Sequence, residues 1–184
     1  MKRFLSIVLA LCLMLCTCAI ACAESATTLS WEDTSVQELR EKLGMDGTTY
    51  TLNAYPVKYW VPENLHDAEL TQDEIDQGVK VKYATEDGTC FFVVLYGDSS
   101  TYNDAHDVAE TIRQNSEFTD VAEVVVNGLG AVSYKAADGS RMHLVLSLPD
   151  TQLLVVTFYC IDTEASLTES AVIGASFRQA EAAN

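Results

Sequence analysis

Two spacings of apolar residues run through this chain, and they sort it into elements. Val36, Leu39 and Leu43 recur at the helical interval behind a Ser35–Glu38 capping box, and Gly44 ends the run, so residues 35–44 are expected to form an amphipathic helix. Further on, the interval drops to two. In "YTLNAYPVKYWVP", Tyr55, Val57, Tyr59 and Val61 alternate with Lys58 and Trp60, the pattern of a half-buried strand punctuated by prolines. Thr71 and Glu74 mark one short helical turn. In "VKVKYATEDGTCFFVVLYG", Asp87-Gly88 divides an alternating run from an apolar one, which predicts a hairpin on a type I′ turn. Thr101 and Asp104 box a second helix, with Tyr102, Ala105, Ala109 and Ile112 on one face.

The second half reads as "VAEVVV", Asn127-Gly128, "AVSYKA", Asp138-Gly139, "RMHLVLSL", Pro149-Asp150 and "QLLVVTFYC". Four strands joined by tight turns make an antiparallel meander. Ser166 and Glu169 open a last helix carrying Leu167, Ala171 and Ile173 and ending before Phe177. Runs such as "CFFVVLY" and "LLVVTFY" are apolar on both sides and need cover on both sides. The expected fold class is therefore α+β: a mostly antiparallel β-sheet with helices packed on both faces, in one domain over residues 31–178.

The order of elements, with "YPVKYWVPENL" leading into a loop, the strand-turn-strand "VVVNGLGAVSY" and the terminal helix "SAVIGASF", resembles the PsbP-like α/β/α sandwich. That fold occurs in photosystem accessory proteins and small exported bacterial proteins, and the resemblance covers about residues 48–178. It implies a non-enzymatic accessory or binding role. The family has no shared catalytic motif, so it assigns no functional residue here.

The N-terminal run changes where the protein is expected to work. Lys2 and Arg3, the apolar stretch Phe4 to Ile20 and Ala21-Cys22-Ala23 have the layout of a secretory signal peptide, residues 1–23, cut between Ala23 and Glu24. Ala19-Ile20-Ala21-Cys22 also resembles a bacterial lipobox, which would put a lipid on Cys22, and the stretch is just long enough to stay as an anchor. Residues 24–30 and 179–184 have the small, polar composition of loose ends. The expectation is a bacterial protein outside the cytoplasm, secreted or at the cell surface. Four of the six cysteines lie in residues 1–23, which rules out a disulfide-dense scaffold and leaves Cys90 and Cys160. The two fall at the same end of adjacent strands if those strands pair antiparallel. A bond there would close a loop of about 70 residues, adding roughly 4 kcal/mol in a chain-entropy treatment; two apolar free thiols are the alternative.

Net charge is −16, and without Lys2 and Arg3 the balance is 9 basic against 27 acidic residues, or −18. Such a chain repels nucleic acid phosphates and anionic lipid surfaces, which excludes both as partners. No metal or cofactor is expected. His66-Asp67 and His106-Asp107 have the form of a phosphohydrolase metal pair, but that family is all-helical, and Asp98 and Asp104 lack calcium-loop spacing. There is neither a G-x-S-x-G elbow nor a glycine-rich phosphate loop. His143, with a neighbouring Ser or Asp, is the one candidate for a hydrolase of unrecognised type, against its reading as an exposed strand-face histidine. His106 reads as a half-buried structural histidine.

The sharper hypothesis rests on where the few basic residues fall. Lys58, Lys80, Lys82, Lys135 and Arg141 lie on expected strands, with Trp60 on the face of Lys58 and His143 on that of Arg141. If those strands are neighbours, Lys58, Trp60, Lys80, Lys82, Arg141 and His143 form a cationic strip for a small anionic ligand or an acidic partner protein. The alternative is that the lysines keep edge strands from aggregating.

Overall fold

A computed structural model describes residues 27–42, 44–52, 55–98 and 101–180. The expected signal segment, the cut between Ala23 and Glu24 and the lipid site at Cys22 lie outside these residues. In chain order the elements are β1 (Thr27–Leu29), α1 (Thr34–Lys42), β2 (Gly47–Thr51), β3 (Val57–Pro62), β4 (His66–Asp67), α2 (Gln72–Asp76), β5 (Val79–Ala84) and β6 (Cys90–Asp98). Then come α3 (Ala105–Arg113), β7 (Phe118–Val126), β8 (Leu129–Ala136), β9 (Arg141–Ser147), β10 (Gln152–Tyr159), α4 (Glu164–Ser176) and β11 (Arg178–Gln179).

Eight strands make the main sheet in the order β1-β7-β8-β9-β10-β6-β5-β4. All its pairings are antiparallel except β1 with β7, where Thr27 sits beside Val124. The meander β7 to β10 is formed as the turn residues dictate. Asn127 and Gly128 both take positive φ, 50° and 83°, as a two-residue type I′ turn requires. At Asp87-Gly88 only Gly88 is left-handed, and Thr85 pairs with Thr89 around a three-residue loop. That connection is a type I turn closed by a glycine bulge instead of the expected I′ turn.

Alternation decides the two faces. Leu154, Val156 and Phe158 of β10 join Met142, Leu144 and Leu146 of β9 in the larger core, under α4, α1 and a second sheet of order β11-β3-β2. Val132, Tyr134, Val145 and Leu153 face the other way and pack on Ala105, Val108 and Ala109 of α3. Helices thus cover both faces, as the doubly apolar strands require. The second sheet was not foreseen. "YTLNAYPVKYWVP" folds as the hairpin β2–β3, with Tyr50 opposite Tyr59, because Leu52 turns back to bond Val57 before the second run begins.

Helix starts depart from the expected boxes by up to one turn. α2 has the Thr71–Glu74 box as read. α3 is capped by Asp104, whose carboxylate accepts from the amide of Asp107, and α4 by Thr163, boxed with Ser166. α1 begins at Thr34, which leaves Ser35 inside it.

Candidate functional site

Gathering the six predicted site residues onto this frame divides them among three places. Lys82 stands in one rung of the main sheet with Val93, Thr157 and His143 across β5, β6, β10 and β9. Its ammonium is 2.8 Å from Glu74 of α2, which holds the Glu74 carboxyl down at about 2. This lysine is already paired. Lys80 stands apart from it, because a register shift between Val79 and Val81 breaks the period-two alternation that would put both lysines on one face. It rims a depression of about 440 Å³ with Tyr50, Tyr59, Tyr83, His66 and Asp67, floored by the Tyr59 and Tyr83 hydroxyls 3.2 Å apart.

Arg141 is exposed at the start of β9, opposite Tyr159. His143 is half-buried, not exposed as its strand position suggested: its ring stacks on Tyr134 at 4.8 Å, with Phe118 edge-on at 6.1 Å. Its Nδ1 lies 3.0 Å from the Thr157 hydroxyl. Burial, with Arg141 adding to it, pushes the imidazole down to about 4. Thr157 is 5% exposed, so this is a cross-strand hydrogen bond closed to a substrate. His106, expected to be half-buried, is exposed between Glu110 and Glu123, and its Nδ1 is 2.7 Å from Glu123, which raises its pKa. Among the described residues no three His, Cys, Asp or Glu side chains converge on one point.

The remaining pair, Lys58 and Trp60, lies on β3 of the second sheet. Along β3, Tyr59 packs on Tyr83 of the main sheet and Trp60 on Arg40 of α1, and strand alternation puts Lys58 on the same face of β3 as Trp60. There the Trp60 ring meets Trp31, centroids 5.7 Å apart. The Arg40 guanidinium lies 5.6 Å from the centroid of Trp31 and 5.9 Å from that of Trp60, and the Arg178 guanidinium 5.7 Å from Trp31. Two cations therefore share one indole. Each such contact is worth about 0.5–2 kcal/mol, rising as water is excluded.

The cluster is tied to the scaffold at the end of α4 and at the turn between β7 and β8. The Trp60 amide donates to Ser176 Oγ at 2.8 Å, and Arg178 Nη1 to the Ser176 carbonyl at 2.9 Å, both at the end of α4. The Trp31 amide donates to the Asn127 side chain at 2.6 Å, and that amide group donates in turn to the carbonyls of Ala175 and Phe177 at 2.7 and 2.8 Å. Gly47 on β2 leaves room for the Trp60 ring, since a Cβ there would lie 2.5 Å from it.

Arg178 of β11 is also directly opposite Lys58 of β3. Like charges at such cross-strand positions destabilise a sheet. Among the described residues, Arg40, Lys58 and Arg178 have no ion pair, as is also true of the separately placed Lys80 and Arg141, whereas Lys82, Arg113 and Lys135 each have one. Sequence reasoning missed Trp31, Arg40 and Arg178. One signal was available: Arg40 follows Val36 by four positions and so falls in the apolar stripe of its own helix, where an arginine needs an unusual reason to sit.

No protein-family model matches the chain, and no curated protein matches it significantly. Among solved structures it is similar to the solution structure of cyanobacterial PsbP (CyanoP) from Synechocystis sp. PCC 6803, at 14% identity and a TM-score of 0.50, over 73% of this chain and 93% of that one. At that identity the likeness is one of fold, the PsbP-like α/β/α arrangement that the order of elements resembles.

Proposed function

We propose that the chain is an exported accessory domain that binds an anionic group, carboxylate or phosphate, at the cluster of Arg40, Lys58 and Arg178 around Trp31 and Trp60. The observation that carries this reading is the concentration of three cations without a carboxylate partner among the described residues, on a chain whose net charge is −16. Repulsion stored between Lys58 and Arg178 is relieved by an anion between them, and the indoles hold the guanidiniums in place before it arrives. The fold likeness supports an accessory role and adds nothing on the ligand.

The protein carries its own reporter, because Trp31 and Trp60 are its only tryptophans. Titration with citrate, inorganic phosphate and a hexaglutamate peptide at constant ionic strength is expected to change tryptophan emission saturably. Lys58→Gln, which spares both rings, weakens the response about tenfold, the worth of one charge-assisted contact; Lys80→Gln with Lys82→Gln leaves it unchanged. A flat titration, or equal response in all variants, refutes the reading. Export is tested by the mass of the mature product: a free Glu24 terminus marks cleavage, and a lipid on Cys22 marks surface anchoring of the same domain.

A hydrolase built on His143 has one observation in its favour, the contact with the Thr157 hydroxyl, and the burial of that hydroxyl weighs against it. His143→Gln is expected to leave any esterase side activity untouched.

A further inference from the structure

β6 and β10 are antiparallel neighbours whose last registered pair is Phe92 with Phe158, and continuing that register two residues further, just past the end of β10, sets Cys90 against Cys160. Directly opposed residues of such strands have Cα atoms about 4.5–5.5 Å apart, within the roughly 4.4–6.8 Å that a disulfide spans. The Cys160 Sγ already reaches to 3.8 Å from the carbonyl oxygen of Cys90. Cys160 is exposed and held in the left-handed region at φ 54°, where the strand has ended, while Cys90 is half-buried.

We propose that Cys90 and Cys160 are a cross-strand dithiol that closes to a disulfide when a disulfide oxidant is present, clamping the ends of β6 and β10. The difference in exposure sets the order of events. The Cys160 thiolate attacks one sulfur of the oxidant, whose S–S bond breaks; half of it stays on Cys160 as a mixed disulfide and half leaves as a thiolate. Cys90 gives its proton to solvent and attacks the Cys160 sulfur, expelling the second thiolate. Two cysteine thiols are oxidised and one external disulfide is reduced to two thiols. Burial raises the Cys90 thiol, which suits a resolving group that stays silent until a mixed disulfide stands beside it. This proposal is independent of the anion site.

The test uses oxidised glutathione on the reduced full chain, followed by tryptic mapping without reductant. The cysteines fall on separate peptides: Cys90 on 83–113, Cys160 on 142–178 and the four N-terminal cysteines on 4–40. The expected product is 83–113 joined to 142–178, two hydrogens lighter than the separate pair, with a melting temperature roughly 10 °C higher that reverts with dithiothreitol. Cys160→Ser is expected to show no such rise. A glutathione adduct persisting on Cys160, a bond from either peptide to 4–40, or unmodified thiols overturns the proposal.

Discussion

A histidine stacked on a tyrosine under a helix holds a proton poorly, and for His143 this makes stability depend on pH. Its folded pKa, about 4, is below the unfolded value near 6.5, so between them the unfolded chain binds the extra proton. Stability from this group is full above pH 6.5 and is lost as pH falls toward 4. The His143 share of stability, read by urea denaturation as the difference between wild type and His143→Gln, is expected to fall by about 2 kcal/mol from pH 7 to pH 5. His106 runs the opposite way: Glu123 raises its pKa, so its contribution is present below about 6.5 and fades as pH rises through the folded value. Gly47 gives a second test at this scale. Gly47→Ala pushes a methyl into the Trp60 ring, so melting should fall and the emission maximum should shift as the indole is displaced.

Elements here are joined by a few side chains, of which Asn127 does most. It accepts the turn φ of 50° and bonds the loop after β1 and the end of α4. Asn127→Gly keeps the turn and loses three hydrogen bonds, which should cost about 2–4 kcal/mol; Asn127→Ala loses both and should cost more. Chemical denaturation of the two variants separates turn from clamp. The turn was legible in the sequence, since Asn-Gly between alternating runs has one common meaning, and so were the meander, the β5–β6 hairpin and helices on both faces. The clamp was not, because its partners are 48 to 96 positions away. The same holds for the site. Lys58 and Trp60 stood out by sharing a strand face, but Trp31, Arg40 and Arg178 reach them only through the second sheet and α1. The bulge at Lys80 likewise leaves no mark in "VKVK", so alternation alone placed that lysine beside Lys82.

For the whole molecule, a charge of −16 means that the fold works against its own repulsion, and added salt screens it. Raising NaCl from about 10 mM to about 500 mM is expected to raise the melting temperature by a few degrees while weakening citrate binding, since screening acts on both. A rise in both would contradict a site that is electrostatic in origin. The main sheet ends in strands of three and two residues, β1 and β4, too short to recruit another chain easily. The first of these also sets an order of assembly. Thr27–Leu29 and Trp31 are synthesised early, yet the strand and the asparagine that hold them belong to β7 and the turn after it, which a growing chain makes much later. A half-made chain therefore lacks the strand and the asparagine that hold its first strand and the Trp31 backbone, and the N-terminal segment docks only after the middle of the sheet exists.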